Sequence, residues 1–375
     1  MKEITEILAR VTAFGPKEQG ILATVVDVQG SGYRLPGARM LILENGETHG
    51  MVSGGCLESD VLERARKVLK SGQSEVFVYD TTNEENSVFS LNMGCRGVIR
   101  ILLEPINGES TLLKYFRDVR DDRTDRTMAT LISSDESSDA KLGGRAFYKT
   151  DGSFEFDRLP VFLQSSEVLR DECARFSDRG TEYTFHEFTI EERRFEFALE
   201  SIRPPVHVLL FGAGADAIPL ARTVSDLGWQ LSVFDHRPAF LTKERFADAT
   251  RLTPTSREEK LDPILGDART VAVVMTHNYE LDRKILPSLL NSDIAYVGML
   301  GPKRRTEQML GEISSAGQNF SDDQLAKLYA PAGLDIGADT PEAIALSIAA
   351  EIQTVLRTRD GGHLRNRKGS IYDRK

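Results

Sequence analysis

Val206-His207-Val208-Leu209-Leu210-Phe211-Gly212-Ala213-Gly214-Ala215-Asp216-Ala217 is the stretch on which the fold turns. Its apolar half, Val206 to Phe211, reads as a strand buried on both faces, and Ala215 to Leu227 reads as the helix that follows. A second strand, Gln230 to Phe234, ends at Asp235. In that setting the first glycine permits a tight turn, the second lets a pyrophosphate approach the backbone, and Ala217 stands where a third small residue packs helix on sheet. Gly212, Gly214 and Asp235 are therefore candidate nucleotide contacts, with Asp235 accepting from a ribose hydroxyl. Asp216 works against a bound phosphate. A carboxylate in the first helical turn takes the positive end of the dipole, a term of about 0.3–1 kcal/mol, and repels a second anion directly. Two readings stay open: a bound nucleotide, or a shell that binds something else or only holds a dimer together. Arg237, just past Asp235, is either a donor for a 2′-phosphate or an exposed loop arginine.

The alternation continues downstream: strand Val271 to Met275, helix Glu280 to Leu290, strand Ile294 to Val297, helix Lys303 to Ser315. Buried strands alternating with helices predict a doubly wound parallel sheet of the Rossmann type. Thr276-His277-Asn278 follows a strand on the side where such sheets bind ligands, so His277 is a candidate cofactor contact, with a structural or supporting role as the plainer reading. A last helix is signalled by Thr340 as N-cap, Pro341 at the first position and Glu342 in the first turn, with Ile344, Ile348 and Ile352 along one face. The tail after Leu356 holds seven basic residues against two acidic ones and reads as a disordered tail, or as a segment that docks on an acidic partner.

Upstream, Arg203-Pro204-Pro205 forms a stiff junction, because successive prolines fit neither a helix interior nor a central strand. It divides the chain into an N-terminal domain, 1–202, a Rossmann-like domain, 203–356, and the basic tail, 357–375. The first domain opens with a helix from Ile4 to Ala13 and a strand Ile21 to Val26. Met40 to Leu43 then enters a hairpin at Asn45-Gly46, a pair suited to a type I′ turn. A helix from Leu57 to Lys70 ends at Gly72, and strands Glu75 to Tyr79 and Val98 to Leu103 complete an α+β unit. From 111 to 202 the pattern is less legible: Arg117 to Arg123 reads as a solvated loop, Met128 to Ile132 as a strand, and further antiparallel strands belong with the N-terminal domain.

Composition narrows the function classes. The 375 residues suggest two domains at roughly 150 residues each, and 40% hydrophobic with 28% charged residues is ordinary for a globular chain. A net charge of -10 repels polyanions, which argues against nucleic acid. No run nears the ~18 apolar residues of a membrane span, and the N-terminus has no signal-peptide core, so a cytoplasmic protein is expected. Three cysteines are too few for a disulfide scaffold, and without Cys-x-x-Cys or a nearby histidine a structural zinc is not expected.

Two N-terminal turns carry the remaining chemistry. Gly30-Ser31-Gly32-Tyr33-Arg34-Leu35-Pro36-Gly37-Ala38-Arg39 joins two strands; its glycines free backbone N–H groups, and Arg34 and Arg39 add donors suited to phosphate, although a plain connector with surface arginines fits as well. Ser53-Gly54-Gly55-Cys56 sits at a helix start, a setting that favours thiolate, with Glu58 in the first turn. Met93-Gly94-Cys95-Arg96-Gly97 sets a second thiol beside a cation. Either cysteine taken alone is more often a small buried hydrophobe, and Cys173 has no such setting.

Taken in order, these stretches resemble the XdhC/CoxI family. Gly30 to Met40 resembles its signature loop, Gly54-Gly55-Cys56-Leu57-Glu58 its Gly-Gly-Cys-Val-Glu turn, and Gly94-Cys95-Arg96-Gly97 its Gly-Cys-Gly-Gly turn. Phe211 to Gly214, Met275-Thr276-His277 with Asp282, Tyr296 to Gly301 and Gly333 to Ala338 resemble its Rossmann-domain signatures. Asp216 and Arg96 depart from it, standing where the family has His and Gly. The resemblance implies a maturation factor that binds newly made molybdenum cofactor (molybdopterin), protects it while a terminal sulfido ligand is installed, and delivers it to a xanthine dehydrogenase-type apoenzyme. A cysteine desulfurase and a second copy of the chain are the other implied partners. Ser31, Arg34, Arg39 and the loop backbone are then expected at the phosphate. Gly54, Gly55 and Glu58 are expected to contact the cofactor, and Cys56 and Cys95 to do so at its metal end as soft ligands. The alternative is an NAD(P)-dependent oxidoreductase built on Gly212, Gly214, Asp235 and His277.

Overall fold

In the computed structural model, which describes residues 2–15, 18–30, 32–80, 97–135, 139–255 and 266–368, the first helix, α1 (Lys2–Thr12), turns Ile4, Ile7, Leu8 and Val11 inward at helical spacing. Strands β1 (Gln19–Gly30), β2 (Arg39–Leu43) and β3 (Thr48–Gly50), helix α2 (Glu58–Ser71), and strands β4 (Glu75–Asp80) and β5 (Gly97–Asn107) follow. The strands form an antiparallel sheet of order β3-β2-β1-β5-β4, with α2 packing Val61, Ala65 and Val68 against it. The expected hairpin is present, but its turn is a three-residue one. Gly46 alone takes positive φ (+85°) while its N–H donates to Leu43 and Leu43 N–H donates to Glu47, the type I turn with a left-handed glycine rather than type I′.

The chain then repeats this plan. Helix α3 (Thr111–Asp122), strands β6 (Arg126–Ser134), β7 (Arg145–Lys149) and β8 (Phe154–Asp157), helices α4 (Val161–Gln164) and α5 (Glu167–Arg179), and strands β9 (Tyr183–Ile190) and β10 (Arg193–Ile202) give a second sheet of order β8-β7-β6-β10-β9. The correspondence reaches single residues. Arg39 pairs with Thr24 across β1–β2 as Arg145 pairs with Thr130 across β6–β7. Val25 and Leu131 exchange equivalent bonds with Gly37-Ala38 and Gly143-Gly144, and Gly37 and Gly143 share positive φ. Glu104 opposes Leu22 as Glu200 opposes Met128. The segment Arg117 to Arg123, expected as a loop, lies largely in α3, whose buried face is Leu112, Leu113, Tyr115, Phe116 and Val119; the charges occupy the outer face, and Arg123 ends the helix at φ +54°. These elements form one compact unit, Met1–Pro204, and the rest of the chain, Pro205–Lys375, forms a second.

The second unit contains β11 (His207–Phe211), α6 (Ala217–Asp226), β12 (Gln230–Asp235), β13 (Arg251–Pro254), β14 (Thr270–Val274), α7 (Tyr279–Leu290), β15 (Tyr296–Met299), α8 (Lys303–Ser315), α9 (Asp322–Ala326), β16 (Leu328–Tyr329) and α10 (Pro341–Leu356). Its sheet is parallel throughout, in the order β13-β12-β11-β14-β15-β16, the Rossmann arrangement. Period-two geometry explains its two covers. Val208 and Leu210 point to the side packed by Leu220 and Val224 of α6 and Ile348 and Ile352 of α10. Leu209 and Phe211 point to the side packed by Ile285 and Leu289 of α7 and Met309 and Ile313 of α8. Full burial of such a side chain contributes about 1.5–3 kcal/mol, so an uninterrupted apolar strand is what a sheet covered on both faces requires. Thr340 caps α10 by accepting from Ala343 N–H at 3.2 Å. Residues 357–368 of the basic tail are described, and the backbone at Gly361 lies against Leu334 and Thr354.

Candidate functional site

In the first unit the two glycine-bearing turns meet. The Tyr33 ring lies across Gly54, so close that a Cβ there would stand 3.2–3.4 Å from three ring carbons. Tyr33 is 60% exposed, so its ring rests on Gly54 while much of the residue faces solvent. Beside it, Ser53 organises the turn. Its Oγ accepts from Gly55 N–H at 3.2 Å and Leu57 N–H at 3.1 Å, while its own N–H donates to Glu58 at 2.8 Å and its hydroxyl donates to the same carboxylate. Glu58 thus acts on the turn from the first residue of α2. Gly55 adopts φ +104° with open space around it, and Cys56 follows, exposed and unpaired with any cysteine. The thiol therefore stands free at the start of a 14-residue helix.

The arginines of the first turn are held elsewhere. Arg34 is ion-paired with Glu3 of α1. Arg39 is 2% exposed, forks onto Glu200 at 2.9 and 2.5 Å, donates to the Gly37 carbonyl at 2.8 Å and sits over Phe116. Arg145 repeats this in the second half, donating to Gly143 at 2.7 Å and pairing with the buried Glu104. A pair that recurs in both halves is a scaffold feature, each arginine tying its own sheet to the other. Gly54, Gly55 and Cys56 have no such counterpart: the second half fills the equivalent connection with Leu159, Pro160 and α4, which buries Leu163. Ser31 and Cys95 lie outside the described residues. Cys173 is fully buried, and burial, helped by the charge of Glu172, pushes its thiol up to about 12.

In the second unit the Gly-rich turn is occupied by protein carboxylates. Gly212 (φ +117°) passes so near the β14 end that a Cβ would stand 2.3 Å from the Met275 carbonyl oxygen, which accounts for this glycine without a ligand. Asp216 takes the N-cap position of α6, which begins at Ala217, and its Oδ1 lies where a Cβ on Gly214 would point, 2.4 Å away. Its Oδ2 meets His277 Nε2 at 2.6 Å; His277, at φ +56°, is exposed on the C-terminal side of β14. Asp235 accepts from Ala213 N–H at 2.6 Å and from Arg237 through its backbone and guanidinium at 2.8–2.9 Å. Burial opposes that charge, but the bonds from Arg237 and Ala213 outweigh it and hold the carboxyl below the usual range. Arg237 is thereby bound to Asp235 rather than left free in a loop. Among the described residues no cluster of three or more His, Cys, Asp or Glu side chains could hold a metal ion, and no helix is long and apolar enough to cross a membrane.

Two regions of the chain match known families: residues 15–80 match the XdhC and CoxI family, and residues 208–352 match the XdhC Rossmann domain. The chain belongs to the XdhC/CoxI family. It is 32% identical over 337 residues, 90% of its length and 93% of the relative's, to a Bacillus subtilis protein described as a probable subunit of xanthine dehydrogenase. It is 21% identical to the molybdenum cofactor insertion chaperone PaoD of Escherichia coli, over 89% of this chain and 83% of that one. The crystal structure of a xanthine dehydrogenase from Bacillus halodurans shares its fold with a TM-score of 0.73 and 29% identity, covering 96% of this chain and 97% of that one. Within the XdhC/CoxI match, residues 15–80 take in Tyr33, Gly54, Cys56 and Glu58, and the Rossmann match takes in Gly212, Asp216, Asp235 and His277. Tyr33 is the residue that motif reading passed over; an aromatic inside a run of glycines was its one signal.

Proposed function

We propose that this chain is a maturation factor for a xanthine dehydrogenase-type molybdenum hydroxylase, holding the molybdenum cofactor for sulfuration and handing it to the apoenzyme. The observation that carries this is the exposed Cys56 thiol beside the open Gly55, with the Tyr33 ring resting on Gly54 next to it. When bound, the cofactor supplies a soft metal with dithiolene sulfurs and a phosphate on a pterin ring. The donors fit its metal end: a free thiol is a soft ligand, and the Gly55 backbone leaves room for a bulky sulfur-rich group. Tyr33 offers a flat face for the pterin. At the phosphate end Arg39 is spent inside the scaffold and Arg34 is paired with Glu3, so neither arginine is a free donor for it. Glu58 positions the thiol turn through Ser53. A cysteine desulfurase as sulfur donor and a homodimer as the working form belong to the same proposal.

The test is the cofactor content of protein purified from a cofactor-competent host, read as molybdenum by mass spectrometry and as pterin by fluorescence after oxidation. Wild type is expected to carry both, and Cys56→Ser to lose most of the molybdenum. Equal content in both proteins would remove Cys56 from the site.

The Rossmann unit does not favour the dehydrogenase alternative. With Asp216 lying over Gly214 and Asp235 bound by Ala213 and Arg237, a pyrophosphate meets negative charge where it needs open amides.

A further inference from the structure

The C-terminal rim of the parallel sheet is where open α/β folds take their ligands, and along this rim the charge changes sign. The turn after β11 carries Asp216, and Asp235 ends β12. On the other side of β14, the turn after β15 carries Lys303, Arg304 and Arg305 in succession at the start of α8. There a cavity of about 380 Å³ is lined by Tyr279, Pro302, Arg304, Arg305 and Gln308. Arg305 is set in place: Asp282, 1% exposed, accepts from its Nη2 at 2.6 Å and also receives the Thr276 hydroxyl, and the guanidinium stands over the Tyr279 ring. Asp282 thus answers Arg305, whereas Arg304 is exposed and has no acidic partner among the described residues. Lys303 reaches Glu307 only at 3.9 Å, with both side chains mostly exposed. The wall residue Gln308 donates to Glu312 at 2.9 Å, so Arg304 is the one charge of the wall that no described carboxylate answers.

We propose that this cavity binds the terminal phosphate of a small phosphorylated ligand, with Arg304 as its free charged donor and the Asp282-anchored Arg305 as a fixed positive charge beside it. Arg305 gives Nη2 to Asp282 and turns Nη1 toward the Leu300 carbonyl at 3.5 Å, so what it adds is charge at a fixed place. The proposal concerns the second unit alone and stands or falls independently of the thiol turn.

Calorimetric titration of the full chain at about 0.1 M salt with AMP, and with inorganic phosphate as competitor, tests it. Wild type is expected to bind AMP, with phosphate displacing it and added salt weakening it. Arg304→Glu is expected to weaken binding by on the order of ten- to a hundredfold, the size of one lost charge-assisted bond. Arg222→Glu, the same charge change on the exposed side of α6, is expected to leave the affinity within about twofold, since charges beyond about 10 Å are screened. Arg304 is exposed, and an unchanged melting temperature confirms that the variant folds. No AMP binding by wild type, AMP that phosphate does not displace, or equal weakening in the two variants would each overturn the proposal.

Discussion

Arg39 and Glu200 form a two-pronged ion pair across 161 residues of sequence, and Arg145 and Glu104 form its mirror between the same two sheets. Removing one member of such a pair strands the other in a dry interior, a cost of about 3–5 kcal/mol. Glu104→Gln is expected to lie in that range, because Glu104 is 1% exposed and receives both Arg145 and Arg158. Glu200→Gln should cost less, its side chain being 15% exposed. Urea unfolding followed by circular dichroism measures both; a loss below about 1 kcal/mol for Glu104→Gln would contradict the burial argument.

The same carboxylate sets an acid limit on stability. Burial works against the Glu104 charge, but Arg145 and Arg158 outweigh it and hold its carboxyl below the ordinary range. The unfolded chain then binds the proton first, so the stabilisation is complete above the unfolded value of about 4.3 and is lost as pH falls through the lower folded value. Urea midpoints of wild type and Glu104→Gln should accordingly converge as pH drops below about 4. A gap that stays constant down to pH 3 would show that the charge of Glu104 is not what stabilises the fold.

The Rossmann half was legible because its evidence is local: an apolar run, two glycines and an acidic residue at the end of the next strand carry their meaning within thirty residues of sequence. The duplication of the first half was not. Its two copies share a backbone plan while their helices and loops differ, so letters agree only in short scattered runs: Ala23-Thr24 with Ala129-Thr130, Gly37 and Arg39 with Gly143 and Arg145, Leu103-Glu104 and Ile106 with Leu199-Glu200 and Ile202. For the same reason Arg39 read as a phosphate donor: a loop arginine after glycines looks exposed until a glutamate from a distant strand is folded onto it. Asp216 and His277, singled out separately, became one hydrogen-bonded pair only when β11 and β14 were laid side by side.

The described cysteines should differ sharply in reactivity. Cys56 is exposed, whereas Cys173 is buried with its thiol pushed up to about 12. Iodoacetamide at pH 8 is expected to label Cys56 in the folded protein and to reach Cys173 only when denaturant opens the first unit. Peptide mass spectrometry reads both sites, and rapid native labelling of Cys173 would refute the burial assigned to α5.

Glycines in the two units answer to different demands, and alanine separates them. At Gly212 a Cβ would stand 2.3 Å from the Met275 carbonyl oxygen at φ +117°, with backbone on both sides of the clash, so neither partner can yield cheaply. Overpacking and left-handed strain together place Gly212→Ala at about 3 kcal/mol or more of lost stability. At Gly54 no positive φ is needed, and the obstacle is the ring of Tyr33, a residue 60% exposed and able to swing away. Gly54→Ala should therefore cost no more than about 0.5 kcal/mol while lifting the ring from its seat. If Tyr33 is the flat contact for a pterin, that variant loses pterin content with its unfolding midpoint nearly unchanged, and Tyr33→Ala loses the same amount. Full pterin content in both variants, beside a Cys56→Ser variant that loses molybdenum, would keep the thiol in the site and dismiss the ring.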